Sequence, residues 1–447
     1  MALHSMTLIK NARVDGVLLD VRVGLTIEGK ATHLPVVGDE YVVDARRGEL
    51  LPGFHDHHLH FMASAAAMHS VDCGPPQVND MEQLGAALAG SPADGWVRGV
   101  GYHESVAGNI DRWVLDELDG NRPLRIQHRS GKMWVFNTPA CERLNLAAHS
   151  DLSGIERDAS GGPTGRVFRL DGWLRERLDG EQEFGPFSQH IAKHGITSFT
   201  DASYTNDIDT FGDFCRAREV GSLRQKFELM GDASLETGYR KIMLDDDALP
   251  SLSDLIAMIG HAHDQDRNVA FHCVSRTELV FALSALGDLP SVPGDRIEHG
   301  AVVHDDMLDP MLQAQVTLVT QPGFLIDRGD QYIADLSADQ LPYLYRHRSL
   351  LERGVPVLVS SDAPYGPVSP LVVAQAAEER RTTGGRVIGR NEGVLASDAL
   401  SSYFTEPQQL KVRSVELGQP ADLCVVSEPF HVTHTFVDGE LVYDSSE

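Results

Sequence analysis

Six residues of metal-binding type each follow a short apolar run in this 447-residue chain. They are His58, His60, Lys241, His272, His299 and Asp362. One residue separates His58 from His60, and alternate residues of a β-strand share a face, so both imidazoles can point at one ion. Neutral imidazole is a common ligand of zinc and related metals. The pattern predicts a divalent metal site, although "HDHHLH" taken alone could be a chance cluster.

The other four residues each have a second explanation when taken singly. His272 in "VAFHCV" and His299 in "RIEHG" could be hydrogen-bonded core histidines, and Lys241 in "YRKIML" could be an ordinary lysine at a strand end. Asp362 is harder to explain in this way, because a carboxylate after "VPVLV" would be costly if it were buried without a partner. The occurrence of all six in one order on successive strands favours the metal site.

Such a site needs a scaffold in which strand ends meet. Short β-branched segments alternate with helical segments from "GELLPGFHDHHLHF" (48–61) to "VPVLVSSDA" (355–363), and eight strands can be counted. This alternation indicates an α/β fold with a (β/α)8 barrel of the TIM type. Catalytic groups of such barrels project from the C-terminal ends of the strands, which is where the six residues lie.

The rest of the chain is expected to form two additions to a barrel at 51–407. Residues at about 75–180 interrupt the strand–helix alternation, and we expect an inserted subdomain over the mouth of the barrel. The β-rich ends, 1–50 and 408–447, alternate like half-buried strands and predict one small β-sandwich built from both termini.

Composition excludes several classes of function. With 38 basic and 65 acidic residues the formal net charge is -27, which disfavours binding to nucleic acid or to an anionic membrane. The five cysteines are scattered and form no C-x-x-C pair, as in proteins of a reducing cytoplasm. The chain shows no apolar run of membrane-spanning length and no signal-peptide core at its start. We expect a cytoplasmic protein.

Several motifs carry a resemblance to a known family. "PGFHDHHLH" resembles the strand-one motif of the amidohydrolase superfamily, and His272, His299 and Asp362 match its histidines of strands five and six and its aspartate of strand eight. The ends, with "GQPADLCVV" and "VDGELVY", resemble the split domain of that family. The insert, with "GVGYHES" and "RSGKMWVFN", looks like that of amidohydrolase family 3, the branch of N-substituted formamide deformylase-like proteins.

The resemblance implies a metal-dependent hydrolase of a non-peptide C–N bond (an amide, N-acyl or cyclic imide bond) in a small molecule. It implies two zinc ions, with manganese or iron as alternatives, and a carboxylated Lys241 that bridges them. A single metal with a structural Lys241, or Lys132 in its place, remains open. A metal-bound hydroxide would attack the carbonyl, and Asp362 would act as general base and then acid. Asp56 and Glu298 are candidates for the acceptors that fix histidine tautomers, or each could only stabilise a strand end.

Three departures from the family pattern add positive charge. They are Lys132, Arg169 and Arg276, and we hypothesise that they clamp an anionic group of the substrate. Alternatively, they face solvent or pair with the many acids of this chain. Tyr102 and Trp134 could line the pocket from the insert or belong to its core.

Two other functions remain as alternatives. One is a mononuclear deaminase of the same superfamily; such deaminases usually lack the strand-four lysine and carry a glutamate near the strand-five histidine. Lys241 is present and Glu278 lies six residues beyond His272, which favours hydrolysis. The other is a non-catalytic barrel that binds a small molecule, which the complete ligand set disfavours. The resemblance also implies a homodimer.

Overall fold

The polypeptide forms two structural units, Met1–Phe61 with Phe184–Glu447, and Met62–Glu183. The computed structural model describes residues 6–91, 95–178 and 183–446. Each unit has its own sheets and hydrophobic cores. The segment 75–180 that the sequence singles out as an insertion lies inside the second unit.

Eight parallel strands form the centre of the first unit. Phe54–Leu59, Ile196–Asp201 and Lys226–Leu229 form one sheet, and Arg240–Met243, Val269–Cys273, Arg296–His299, Thr317–Thr320 and Val357–Val359 form another. A parallel bridge from Gly231 to Arg240 joins the sheets at one edge. At the other edge the backbone N–H of Asp362 donates to the carbonyl of His58 at 2.8 Å.

Helices follow these strands and cover them. The longer ones are Gly185–Ala192, Ile208–Glu219, Leu252–His263, Arg276–Gly287, Leu308–Ala314, Gly329–Asp335, Pro370–Glu379 and Ala396–Ser402. Ser275 and Glu278 form a capping box that begins Arg276–Gly287, because each side chain accepts a backbone N–H of the other residue. Phe54–Leu59, Arg296–His299, Thr317–Thr320 and Val357–Val359 are buried on both faces, as expected where helices pack outside and side chains fill the inside. Val269–Cys273 and Arg296–His299 pair in parallel, and their C-terminal ends lie side by side, with Cys273 opposite His299.

Both chain termini contribute to one eight-stranded sheet. Its strands are Thr7–Val14, Val17–Val23, Ile27–Ala31, Tyr41–Asp44, Glu49–Pro52, Leu423–Ser427, His431–Val437 and Glu440–Asp444. Leu423–Ser427 pairs with Glu49–Pro52 and thereby joins the two ends of the chain. Asp438 and Gly439 both have positive φ, as a two-residue hairpin turn between the last two strands requires.

The second unit contains a six-stranded sheet with helices on it. The strands are Val71–Asp72, Val97–Tyr102, Leu124–His128, Met133–Phe136, Ile155–Arg157 and Pro163–Phe168, and the helices of six or more residues wholly within it are Met81–Ala89, Arg112–Leu118 and Thr138–Arg143. Alternate residues of the strands enter different cores: Val135 packs with Leu124 and Ile126, whereas Trp134 packs with Phe136 and Val167. Among the described helices of both units, none is long and apolar enough to cross a membrane.

Candidate metal centre

Three imidazoles surround the carboxylate of Asp362. The Nε2 atoms of His58 and His60 lie 3.4 Å and 3.2 Å from Oδ1, and Nδ1 of His299 lies 3.8 Å from Oδ2. Candidate ligand atoms of His58, His299 and Asp362 all lie within 4.8 Å of one another. All three of these side chains are buried, and that of His60 is about one-fifth exposed. The spacing is that of side chains around a single cation.

The local backbone explains how two of these residues reach the centre. His299 ends its strand with a φ of 70°, and Asp362 follows Val357–Val359 with a φ of 52°. Residues other than glycine rarely adopt this left-handed conformation, and where it persists the surrounding structure imposes it, often at functional sites. Here the N–H of Asp362 is tied to the first strand through the carbonyl of His58.

Each of the three imidazoles has its Nδ1 engaged by a neighbouring side chain. Nδ1 of His58 donates to Oε2 of Glu298 at 2.5 Å, and Nδ1 of His299 donates to Oε1 of Gln321 at 2.9 Å. Nδ1 of His60 lies 2.9 Å from Oγ of Ser203. A proton held on Nδ1 leaves Nε2 as the metal-binding atom, so these partners prepare the rings for ligation.

The surroundings of the Asp362 carboxylate favour the binding of a cation. Oδ1 is buried and accepts no hydrogen bond of acceptable geometry, although two Nε2 atoms lie within ion-pair distance of it. Burial opposes ionisation, yet His58, His60 and His299 hold the pKa of Asp362 well below its usual value. Burial and Lys241 oppose charge on His58, but Asp362 and Glu298 outweigh them and raise its pKa. Positive charge is therefore favoured here, and a metal ion would displace the proton of His58.

His272 and Lys241 lie beside this cluster. The ring of His272 is 4.6 Å from that of His299, and burial lowers the pKa of both histidines, that of His299 to about 3, which leaves both neutral. Lys241 is buried, and burial lowers the pKa of its amine despite the nearby carboxylates of Glu298 and Asp362. The hydrogen-bond contact that the structure shows for its Nζ is with Sδ of Met230, at 3.8 Å.

A cavity of about 420 Å³ lies against the strand Arg240–Met243. Lys241 lines it together with Ile242, Met243, Met258 and Tyr204. Arg240 and Asp232 supply its charged groups. Small molecules therefore have room next to this lysine.

Glu298 and Asp56, the two candidate acceptors, have different roles. Glu298 accepts from His58 as expected and is held by Arg296, whose Nε donates at 2.8 Å. Asp56 instead accepts the backbone N–H groups of His58 and Ser361, both at 3.2 Å, so it stabilises the backbone at strand ends, which was its alternative explanation. Burial raises the pKa of Asp56 to about 6.

The remaining histidines of "HDHHLH" point elsewhere. His55 lies between Oγ of Ser198 and Oγ1 of Thr200, each 2.9 Å away, and Nε2 of His57 donates to the carbonyl of Ser402 at 2.8 Å. The alternation of the strand therefore separates two structural histidines from the two that face Asp362.

The predicted substrate-binding aromatics lie in cores of the second unit. Tyr102 is 1% exposed and its hydroxyl donates to the carbonyl of Gly108 at 2.7 Å. Trp134 is 7% exposed, and its Nε1 donates to Asp171 at 3.1 Å. These contacts are the core alternative that the sequence left open.

The three predicted cations have different surroundings. Nη2 of Arg276 donates to Oδ2 of Asp306 at 2.5 Å, and both side chains are about half exposed. Arg276 thus forms the surface pairing that was its alternative explanation. Lys132 and Arg169 are neighbours, since the N–H of Arg169 donates to the carbonyl of Lys132 at 3.1 Å.

Sequence reasoning missed three residues that support the centre: Ser203, Gln321 and Arg296. The first two are polar residues just beyond apolar strands, in "FTDAS" and "LVTQP", the same signal that identified the ligands. Arg296 begins its strand and is fully buried, which no local pattern indicates.

Comparisons with known proteins show what this chain is similar to. The model of an amidohydrolase family matches residues 41–443. N-substituted formamide deformylase of Arthrobacter pascens is 25% identical, over 94% of this chain and 93% of its own. A metal-dependent hydrolase of Pyrococcus horikoshii has a similar structure, with a TM-score of 0.73 at 19% identity, covering 94% of this chain and 97% of its own. N-isopropylammelide isopropylaminohydrolase of Burkholderia multivorans reaches 0.53 at 14% identity, covering 98% of both chains. The fold is α/β and TIM-barrel-like.

Proposed function

Because this chain belongs to the amidohydrolase family and is thus an enzyme acting on non-peptide C–N bonds, we propose that it hydrolyses an amide, N-acyl or cyclic imide bond in a small anionic molecule. The observation that carries the proposal is the convergence of His58, His60 and His299 on the carboxylate of Asp362. We also propose that the eight parallel strands close into a (β/α)8 barrel, that the terminal sheet folds into a small sandwich, and that the protein is a homodimer.

Asp362 is the residue that moves the proton. A divalent metal held beside it would polarise the substrate carbonyl and make a water molecule more acidic. Oδ1 of Asp362 is free to accept a proton from that water and to deliver it to the leaving nitrogen. His58, His60, His272 and His299 would hold the metal, and Glu298 and Gln321 orient two of these rings.

We propose two metals with a carboxylated Lys241 between them. Burial lowers the pKa of the amine, which favours the neutral form that can attack carbon dioxide, and the adjoining cavity has room for that molecule. A bond forms between Nζ and the carbon, one N–H proton leaves to solvent, and the product is a carbamate. The metals are expected to be zinc, with manganese or iron as alternatives.

Metal analysis and NMR test this arrangement. Two metals per chain and a carbamate signal from protein grown with ¹³C-bicarbonate support it, and Lys241→Arg should abolish the signal. One metal with no signal would support a mononuclear site and contradict the bridging role.

A deaminase is less well supported than a hydrolase. Oε2 of Glu278, the acid near His272, accepts the backbone N–H of Val274 at 2.6 Å and of Ser275 at 3.0 Å. It therefore serves as a helix cap and not as an acid at the centre.

We propose that Lys132 and Arg169 bind the anionic group of the substrate. Their backbones are hydrogen-bonded at the ends of paired antiparallel strands, so two cations of a strongly acidic protein lie next to each other. A carboxylate that lost one charged hydrogen-bond partner would bind about 10- to 100-fold more weakly.

A substrate screen tests function and anion preference together. N-acyl amino acids and cyclic imides bearing a carboxylate are compared with their neutral amide analogues. We expect turnover of the anionic members, and Lys132→Gln should raise KM for these alone. Turnover of neutral members with equal KM would contradict the anion preference, and no hydrolysis by metal-loaded enzyme of any C–N substrate would contradict the function.

A further inference from the structure

Arg296 is a buried cation directly behind His58. It is 0% exposed and precedes Glu298 by two residues on the strand Arg296–His299, so the two side chains project from the same face. Its Nε donates to Oε1 of Glu298 at 2.8 Å and its Nη2 to Oε2 at 3.2 Å. The planar guanidinium thus donates a hydrogen bond to each oxygen of the carboxylate.

Two further contacts fix the position of the guanidinium. Nη2 also donates to the carbonyl of His57 at 2.7 Å, which ties it to the backbone next to His58. Cζ lies 4.7 Å from the ring centroid of Tyr239, within the range of a cation–π contact. Arg296 therefore joins three neighbouring parts of the chain.

The same carboxylate oxygen connects Arg296 to the candidate ligand. Oε2 of Glu298 accepts from Nη2 of Arg296 and also from Nδ1 of His58. Its position keeps the proton of His58 on Nδ1 and leaves Nε2 for a metal. We propose that Arg296 is a positioning residue of the metal centre, acting through Glu298 on His58. This inference rests on the proposed role of His58 as a metal ligand.

A second buried arginine shows what a purely structural role looks like. Arg380 is also 0% exposed and lies in the same unit. Its guanidinium donates to the backbone carbonyls of Ile388, Tyr345 and Leu344 at 2.7–2.8 Å. Among the described contacts of Arg380, no hydrogen bond reaches a residue of the metal centre. It is therefore a matched control of the same type and burial.

The test measures Zn²⁺ affinity by competition with a chelator, on wild type, Arg296→Lys and Arg380→Lys. Lysine keeps the charge but cannot donate two parallel hydrogen bonds. We expect Arg296→Lys to bind Zn²⁺ about 10- to 100-fold more weakly, the range found when an outer partner of a ligand is lost. Arg380→Lys should stay within about threefold of wild type. Thermal unfolding of the metal-free proteins reports folding separately.

A double-mutant cycle keeps the inference testable if Arg296→Lys does not fold. Glu298→Gln is compared with the double variant Glu298→Gln/Arg296→Met, in which neither position carries a charge. If Arg296 acts through Glu298, its removal should change Zn²⁺ affinity little once the Glu298→Gln substitution is present.

The outcomes separate this inference from the proposed function. Unchanged affinity in Arg296→Lys, an equal loss in Arg380→Lys, or a further large loss in the double variant would overturn the positioning role alone. A wild-type protein that binds no Zn²⁺, Mn²⁺ or Fe²⁺ would overturn the metal-dependent function as well.

Discussion

Polar residues have different roles in the first unit, with its eight parallel strands, and in the second unit, called the inserted unit below. Around Asp362, His58 and His299 are held by side-chain hydrogen bonds to Glu298 and Gln321, and both rings lie within ion-pair distance of the one carboxylate. In the inserted unit, the guanidinium groups of Arg98 and Arg125 each lie 5.2 Å from the ring centroid of Trp134, which belongs to a hydrophobic core. One network converges on a point where a cation fits, and the other supports a sheet.

The difference follows from geometry. Parallel strands place their C-terminal ends at one level, so a polar residue after each strand must meet the others. The inserted sheet is mainly antiparallel beyond its first strands, and its strand ends lie on opposite edges. The position of a polar or aromatic residue in this sheet therefore does not indicate which other side chains it meets.

The largest effect is expected from Asp362→Asn. The amide keeps the shape but cannot accept the proton of the attacking water, and it is a weaker metal ligand. We expect kcat/KM to fall by about 10⁴-fold, the upper range for loss of a general base. Steady-state kinetics with an identified substrate, on protein reloaded with metal, provides the measurement. Activity within tenfold of wild type would show that another group moves the proton.

The next effect separates neighbouring histidines of one strand. His58→Asn should weaken Zn²⁺ binding by more than about 100-fold, because even partners of ligands contribute 10- to 100-fold. His57→Asn removes the hydrogen bond to the carbonyl of Ser402 and should cost about 1–3 kcal/mol of stability with unchanged affinity. Chelator competition and thermal unfolding of both variants test this contrast. Equal loss of affinity would mean that the alternation of the strand does not define the ligands.

The sequence alone identified the residues that meet at the candidate metal centre better than it identified the residues around them. His58, Lys241 and Asp362 could be found because an apolar run followed by a polar residue is a local pattern. The roles of Asp56 and Arg296 depend on which segments of the chain lie beside the first strand. The hydrogen bonds that establish these roles join residues more than 200 positions apart in the sequence. The type of a single residue does not show that two such distant segments lie close together.

The fold shows the same division. The eight strands of the first unit and the pairing of both termini follow from hydrophobic alternation, which is read over short windows. The boundaries of the inserted unit, Met62 and Glu183, depend on which residues pack together, and a break in periodicity indicates them only approximately.

A smaller effect is expected in the inserted unit. Trp134→Phe removes the donor to Asp171 and weakens the cation–π contacts with Arg98 and Arg125. We expect a loss of about 1–3 kcal/mol in the free energy of unfolding. Chemical denaturation measures it, and kcat/KM should stay within about threefold. A 100-fold loss of kcat/KM at unchanged stability would instead place Trp134 in contact with substrate.

The smallest effect is expected from Arg276→Gln. Its ion pair with Asp306 is about half exposed on both sides, and such pairs contribute at most about 1 kcal/mol because water screens them. Stability should change by less than that amount, and KM for an anionic substrate should not change, in contrast to Lys132→Gln. Higher salt should reduce the small effect further. If Arg276→Gln raised KM as much as Lys132→Gln, the ion pair of Arg276 with Asp306 would have to break during binding. Arg276 would then be a residue that binds the anionic group of the substrate.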